Sequence, residues 1–156
     1  MKYQSTDDIK PYLPAIFRFL SIRNRSKFEV ESYLQRKHIP LKISTQIIEY
    51  LTRQKLIDDE TFTQEFIRSK LNQGRGLHRI QLELKTKHIN SDIISKQFNQ
   101  IDIETVTQSA RNIIHKKSRL FNKLNGYQKL NKIKQYLYQR GFDAQIIRAI
   151  IDEINS

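Results

Sequence analysis

The sequence predicts an all-α protein built from three tandem copies of a three-helix unit. Three observations predict it. Breakers are sparse, with 4 Gly and 3 Pro in 156 residues, and Pro11 and Pro14 both fall at the start. Apolar residues recur at spacings of three and four, and no segment alternates over five or more residues. A short closing segment returns three times, as SYLQRKHI, LELKTKHI and QYLYQRGF.

Taken in order, the expected helices span residues 12–22, 26–37, 44–54, 58–72, 77–87, 92–98, 104–119, 127–139 and 143–155. The first follows the two prolines. The second opens on a capping box, Ser26-x-x-Glu29, in which hydroxyl and carboxylate each satisfy a backbone N–H. The fourth opens on Asp58, with Asp59 and Glu60 placing negative charge at the positive end of the helix dipole, and carries Phe62, Phe66, Ile67 and Leu71 on one face. The fifth aligns Leu77, Ile80 and Leu84. Ser91 and Asp143 are the expected N-caps of the sixth and ninth, and the ninth carries Ile146, Ile147, Ile150, Ile151 and Ile154.

The closing segments align Leu34, Leu84 and Leu137, then Lys37, Lys87 and Arg140, then Ile39, Ile89 and Phe142. Between the last two sets stand His38, His88 and Gly141, where a helix C-terminus calls for a left-handed residue. Glycine adopts that conformation freely and His is enriched in it. The apolar residue that follows is then expected to fold back onto the last turn. The repeats so defined are residues 1–55, which include an N-terminal extension, 56–103, and a strongly basic 104–156.

Charge is the second signal. The chain holds 28 Lys and Arg against 16 Asp and Glu, a net charge of +12. A nucleotide bias behind the abundant Ile, Asn and Lys would enrich Glu as readily, so it does not account for the excess. Residues 1–55 carry +6, residues 56–104 carry −1 and residues 105–156 carry +7. Residues 105–142 contain no acid and nine bases: Arg111, Lys116, Lys117, Arg119, Lys123, Lys129, Lys132, Lys134 and Arg140. An ordinary solvated face mixes signs, so this stretch points to a polyanion or an acidic protein partner.

Enzymatic classes find little support. With no Cys, and Met only at position 1, there is no disulfide framework, thiolate metal site or thiol nucleophile. Asp58, Asp59 and Glu60 read as a cap rather than a metal site, and the four His form no His-x-x-x-His pair or Ser/His/Asp arrangement. Gln73-Gly74-Arg75-Gly76 lacks the phosphate-loop pattern and joins two helices. It reads as a turn whose exposed backbone, beside Arg68, Lys70 and Arg79, suits a phosphate backbone or an acidic edge. Most of the fifteen aromatics sit at core spacing, but of Tyr136 and Tyr138 one must face away from the core. No apolar run approaches the roughly 18 residues of a membrane span, and MKYQSTDDIK lacks a signal peptide's apolar core. The expectation is a soluble, cytoplasmic, monomeric protein without metal, cofactor or catalytic residues.

Between Phe17 and Ile89 three motifs stand together: Arg25-Ser26-x-x-Glu29, Leu56-Ile57-Asp58-Asp59 with Phe62 and Phe66, and Arg68-Ser69 followed by Gly74-Arg75-Gly76, Ile80 and Leu84. On these the stretch resembles the RecX family of bacterial recombination regulators. Tyr136-Leu137 through Arg140-Gly141-Phe142 again resembles the family's closing repeat, whereas Lys129 stands where the second repeat has Gly76, and residues 1–12 match no element of the pattern. The resemblance implies an elongated, curved body that binds the RecA recombinase and its DNA filament. It also implies a restraint on strand exchange and ATP hydrolysis in recombination, DNA repair and the SOS response. Arg23, Arg25, Arg68, Lys70, Arg75 and Arg79 are the expected recombinase-facing residues. Lys116, Lys117, Arg119, Lys129, Lys132 and Lys134 are the expected contacts to single- and double-stranded DNA, without sequence preference. The alternative is a stand-alone nucleic-acid binder whose recognition helix carries Gln128, Asn131 and Gln135.

Overall fold

A computed structural model describes residues 6–156, and every regular element among them is helical. Two single 3₁₀ turns, Thr6–Asp8 and Lys10–Tyr12, precede α1 (Leu13–Ser21), α2 (Lys27–Arg36) and α3 (Leu41–Arg53). Then come α4 (Asp59–Asn72), α5 (Leu77–Thr86), α6 (Ser91–Asn99), α7 (Ile103–Lys116), α8 (Ser118–Phe121), α9 (Gly126–Gln139) and α10 (Ala144–Asn155). The described residues thus hold ten α-helices where nine are expected. The helix anticipated over 104–119 breaks at Lys117, and the short α8 that follows buries Phe121 edge-on against Tyr136, ring centroids 5.6 Å apart. Helix α3 starts three residues early because Pro40, whose missing N–H costs nothing there, takes the N-cap position. Asn90, not Ser91, caps α6, accepting the Asp92 N–H at 2.7 Å.

Two compact units divide the chain. The first comprises residues 6–62 together with Lys87–Ile89. Its core is Ile16, Val30, Leu34, Ile47 and Leu51, all fully buried, with Ile9, Ile48 and Ile57 beside them. Each such side chain stabilises the fold by about 1.5–3 kcal/mol. The left-handed closure of α2 is as expected: His38 has φ 56°, its N–H donates to Gln35 O, and the Ile39 N–H reaches back to Leu34 O at 3.1 Å. Helix α3 closes in the same way through Lys55 (φ 55°), for which the sequence carries no conformational signal.

The Ser26 capping box forms, with the Glu29 N–H on Ser26 Oγ at 3.2 Å and the Ser26 N–H on Glu29 Oε2 at 3.0 Å. The carboxylate is then used three more times. Arg23 donates through both terminal nitrogens, at 3.1 and 2.8 Å, and Lys87 Nζ donates at 3.0 Å. Next to Lys87, His88 takes φ 55° and stacks on Phe28, centroids 4.0 Å apart. Burial alone would push the Glu29 carboxyl up. The hydrogen bonds from Arg23, the Ser26 N–H and Lys87 outweigh it and hold the pKa at about 2.

The second unit comprises Thr63–Thr86 and Asn90–Ser156. Here two helix ends satisfy each other. The turn after α4 and the turn after α9 meet: the Gly76 N–H donates to Arg140 O at 2.8 Å and the His78 N–H to Gly141 O at 3.1 Å, giving partners to orphan donors at the start of α5. In return the Arg140 guanidinium donates to Gly74 O at 2.8 Å and to Gln73 O, capping the end of α4. A Cβ on Gly76 would overlap the Gly141 carbonyl, and one on Gly141 (φ 89°) would strike the backbone and Cβ of Arg79. Both glycines are therefore required by close approach. The left-handed turn at Gly141 is also as expected, with the Phe142 N–H on Leu137 O at 3.1 Å and Phe142 buried. Helix α10 packs on α7 and α9, burying Ile146, Ile150 and Ile151.

Two outcomes follow from this packing. Gly76→Ala should destabilise the protein by about 2–4 kcal/mol, lowering the melting temperature by several degrees, whereas Gly126→Ala, with open space around it but a φ of +38°, should cost only the backbone strain of a left-handed residue, about 1–2 kcal/mol. Glu29 links stability to acid. Its folded pKa lies below the ordinary 4.5, so its contribution is complete above pH 4.5 and fades as the pH falls toward 2. That contribution is on the order of 3 kcal/mol. Denaturant unfolding at pH 7 and pH 3 should show Glu29→Gln much weakened at pH 7 and differing far less from the unmodified protein at pH 3.

Candidate nucleic-acid and partner interface

In the first unit, Arg23 is half-exposed but its guanidinium is committed to Glu29 and to Asn24 O, at 2.9 Å. Arg25 is packed instead of presented. Its guanidinium lies 4.2 Å from the centre of the Phe19 ring, and its Nε is buried without a hydrogen-bond partner. Burial, followed by the neighbouring Arg23, pulls its pKa down, with Glu29 opposing. It still carries its charge at any ordinary pH.

In the second unit, Lys70, Arg75 and Arg79 converge on one carboxylate. Arg75 Nη1 is hydrogen-bonded to Glu83 Oε1, Lys70 Nζ stands 3.6 Å from Oε2, and Arg79 Nε stands 3.8 Å from Oε1. Three cations around one anion leave a net charge of +2, half-buried on Lys70 and Arg75 and more open at Arg79. Such partly exposed ion pairs stabilise the fold only slightly, by roughly 0–1 kcal/mol each, but they limit the rotamers of the cations they hold. Arg68 is exposed and, among the described residues, has no ion-pair partner. Gly74 and Gly76, expected to offer exposed backbone, are buried, because the Arg140–Gly141 turn occupies the loop.

The lysines of the third repeat are placed on separate edges. Lys116 ends α7, Lys117 forms the break and Arg119 lies on α8, all exposed near a helix C-terminus. On α9, Ile133 is fully buried between Lys132 and Lys134. At about 100° per residue those two lysines leave the helix on opposite flanks. Lys129 shares the Lys132 flank and donates to Asn122 Oδ1 at 3.0 Å. The Lys134 flank also carries Tyr127 and Tyr138, 78% and 75% exposed. Tyr136 is the inward tyrosine and Tyr138 the outward one.

Sequence reasoning gave no role to Glu83 or Glu29 as anchors, nor to Arg140 as a cap for another helix. The separations, 58 residues for Glu29–Lys87 and 66 for Arg140–Gly74, leave no periodic trace. The acidic cluster does behave as a cap: Asp58 accepts the Glu60 N–H at 2.8 Å, and Asp59 accepts the Lys27 N–H at 2.9 Å at the start of α2. Arg111 clasps both oxygens of Glu153, tying α7 to α10. Those hydrogen bonds raise the arginine's pKa and lower the carboxyl's. Among the described residues no helix is long and apolar enough to cross a membrane.

Comparison with known proteins places these elements. The family model of the second RecX three-helix domain matches residues 58–96, and that of the third matches residues 104–151, together more than half of the chain. The regulatory protein RecX of Oceanobacillus iheyensis is 34% identical over 139 residues, covering 88% of this chain and 51% of that protein. The regulatory protein RecX of Prosthecochloris aestuarii is 29% identical over 153 residues, covering 96% and 97% of the two chains. The chain spans about half the length of several of the curated relatives it matches. The crystal structure of RecX from Lactobacillus salivarius superposes with a TM-score of 0.83 at 28% identity, covering 97% of this chain and 99% of that one.

Proposed function

This chain belongs to the RecX family, and from that premise we propose that it is a non-enzymatic regulator of the RecA recombinase. It binds the recombinase filament on DNA and restrains strand exchange and ATP hydrolysis in homologous recombination, repair and the SOS response. It acts in the cytoplasm, as a monomer of three repeats, residues 1–55, 56–103 and 104–156. The observation that carries this reading is where the two family domains fall. They contain the cation cluster around Glu83 and the acid-free basic stretch of α7 to α9.

The chemistry supports a division of labour. Lys70 and Arg75, already desolvated in part and held by Glu83, suit a carboxylate-bearing protein edge, because little rotamer freedom remains to be lost on binding, and the more open Arg79 stands beside them. Arg68, and Arg23 with Arg25, extend that set. The exposed Lys116, Lys117, Arg119, Lys132 and Lys134, with the partly exposed Lys129, suit phosphates, which need charge and reach but no fixed geometry. A filament bridged in this way loses the subunit motions that growth and ATP turnover need.

A second reading is favoured by one feature of α9. Gln128, Asn131 and Gln135 are all exposed and lie within about 60° of one another on the face opposite Ile133, an arrangement open to base edges. Sequence preference separates the two readings, since a filament regulator shows none.

The deciding experiment is ATP hydrolysis by the cognate recombinase preassembled on single-stranded DNA, titrated with this protein well below one per recombinase. Inhibition at those ratios is expected. Inhibition only near DNA saturation would mean competition for DNA. Arg75→Glu with Arg79→Glu should impair this inhibition more than binding to naked DNA. Lys132→Glu and Lys134→Glu, made separately, should each lower the salt slope of DNA binding by roughly 0.7–0.9. An unchanged slope removes that flank from the interface.

A further inference from the structure

A groove in the second unit is left unused by the reading above, apart from its rim residue Arg68. It runs where the C-terminal half of α4 meets the end of α6 and the start of α7, as two adjoining cavities of about 390 and 540 Å³ that share Leu71, Asn72, Asp102 and Thr105. The smaller has an apolar floor of Ile67, Leu71 and Ile101, and Arg68 also lines it. Gln97 lines it too. Only 4% of Gln97 is exposed, and its Nε2 is buried with no hydrogen-bond partner. A buried amide donor without an acceptor is rare in a folded protein, and it marks a place where an acceptor belongs.

We propose that this groove is a docking site for an acidic peptide strand carrying an aliphatic residue close to an Asp or Glu. The aliphatic side chain covers the Ile67–Leu71–Ile101 floor. The strand's carbonyl or carboxylate oxygens take the Gln97 amide, and its acid pairs with Arg68, the rim cation that has no ion-pair partner among the described residues. Of the groove's two carboxylates, Asp102 is already engaged as the α7 cap, accepting the Glu104 N–H at 3.2 Å, and Glu104 is paired with Arg111 at 3.3 Å. With a chain charge of +12 behind it, an acidic occupant is favoured over a basic one. A nucleic acid fits less well, because a mostly apolar floor with Arg68 at one end and Lys116 at the other offers a phosphate backbone little.

The probe is a phage-displayed library of short random peptides selected on the full chain, independent of any recombinase. Enriched peptides are then measured by fluorescence anisotropy. The expected motif pairs Leu, Ile or Val with a nearby Asp or Glu. Thr105→Trp, which fills the groove from an exposed position, and Arg68→Glu, a surface charge reversal, should each weaken binding by roughly tenfold or more. Gln97→Leu should weaken binding yet raise the melting temperature, because it removes the unpaired donor. Three results overturn the proposal: no shared motif, binding unchanged in both Thr105→Trp and Arg68→Glu, or a lower melting temperature for Gln97→Leu. A concentration-dependent dimer that Thr105→Trp abolishes would also overturn it, assigning the groove to a second copy of this chain.

Discussion

The larger unit hangs on an exchange of helix-end hydrogen bonds between two turns far apart in sequence. The start of α5 has donors with no partner in its own helix, and the end of α4 has acceptors in the same condition. The Arg140–Gly141 turn supplies carbonyls to the first and a guanidinium to the second. Leaving such buried groups unmade costs about 1–3 kcal/mol each, so the turns meet in one register. That register fixes where Arg75 and Arg79 leave the backbone, and so where a cation cluster can stand.

Electrostatics then works by concentration. A chain with this excess of positive charge repels itself, and its carboxylates are few enough that some have several claimants. Glu29 holds Arg23 and Lys87; Glu83 holds Lys70, Arg75 and Arg79; Glu153 holds Arg111. The consequence is two populations of cation. One is anchored, partly desolvated and directional, which suits recognition of a carboxylate edge. The other, on α7 to α9, is mostly solvated, which suits phosphates.

Local signals were legible in the sequence. The Ser26–Glu29 box, the Asp58 and Asp143 caps and the left-handed His38, His88 and Gly141 each depend on residues within a few positions, so their physics is written in short windows. What was not legible depends on long-range contact. The break at Lys117 follows from burying Phe121, and the loss of exposed backbone at Gly74–Gly76 follows from a turn more than sixty residues away. The candidate site divides along the same line. Which residue types would serve was readable from charge, whereas the separation of Lys132 from Lys134 needed the buried position of Ile133 between them.

The third closing turn shows why similar repeats need not be interchangeable. His38 and His88 reach φ values near 55° without glycine, so the left-handed conformation alone does not require one at position 141. What differs is the neighbour. His88 uses its ring to stack on Phe28, whereas Gly141 lies against the backbone of Arg79, where any Cβ would collide. Glycine at the third repeat is therefore a packing requirement. It ties the end of α9 to the start of α5, and through α5 to the Glu83 cluster, so that the least conspicuous residue of the repeat signature sets the position of the anchored cations.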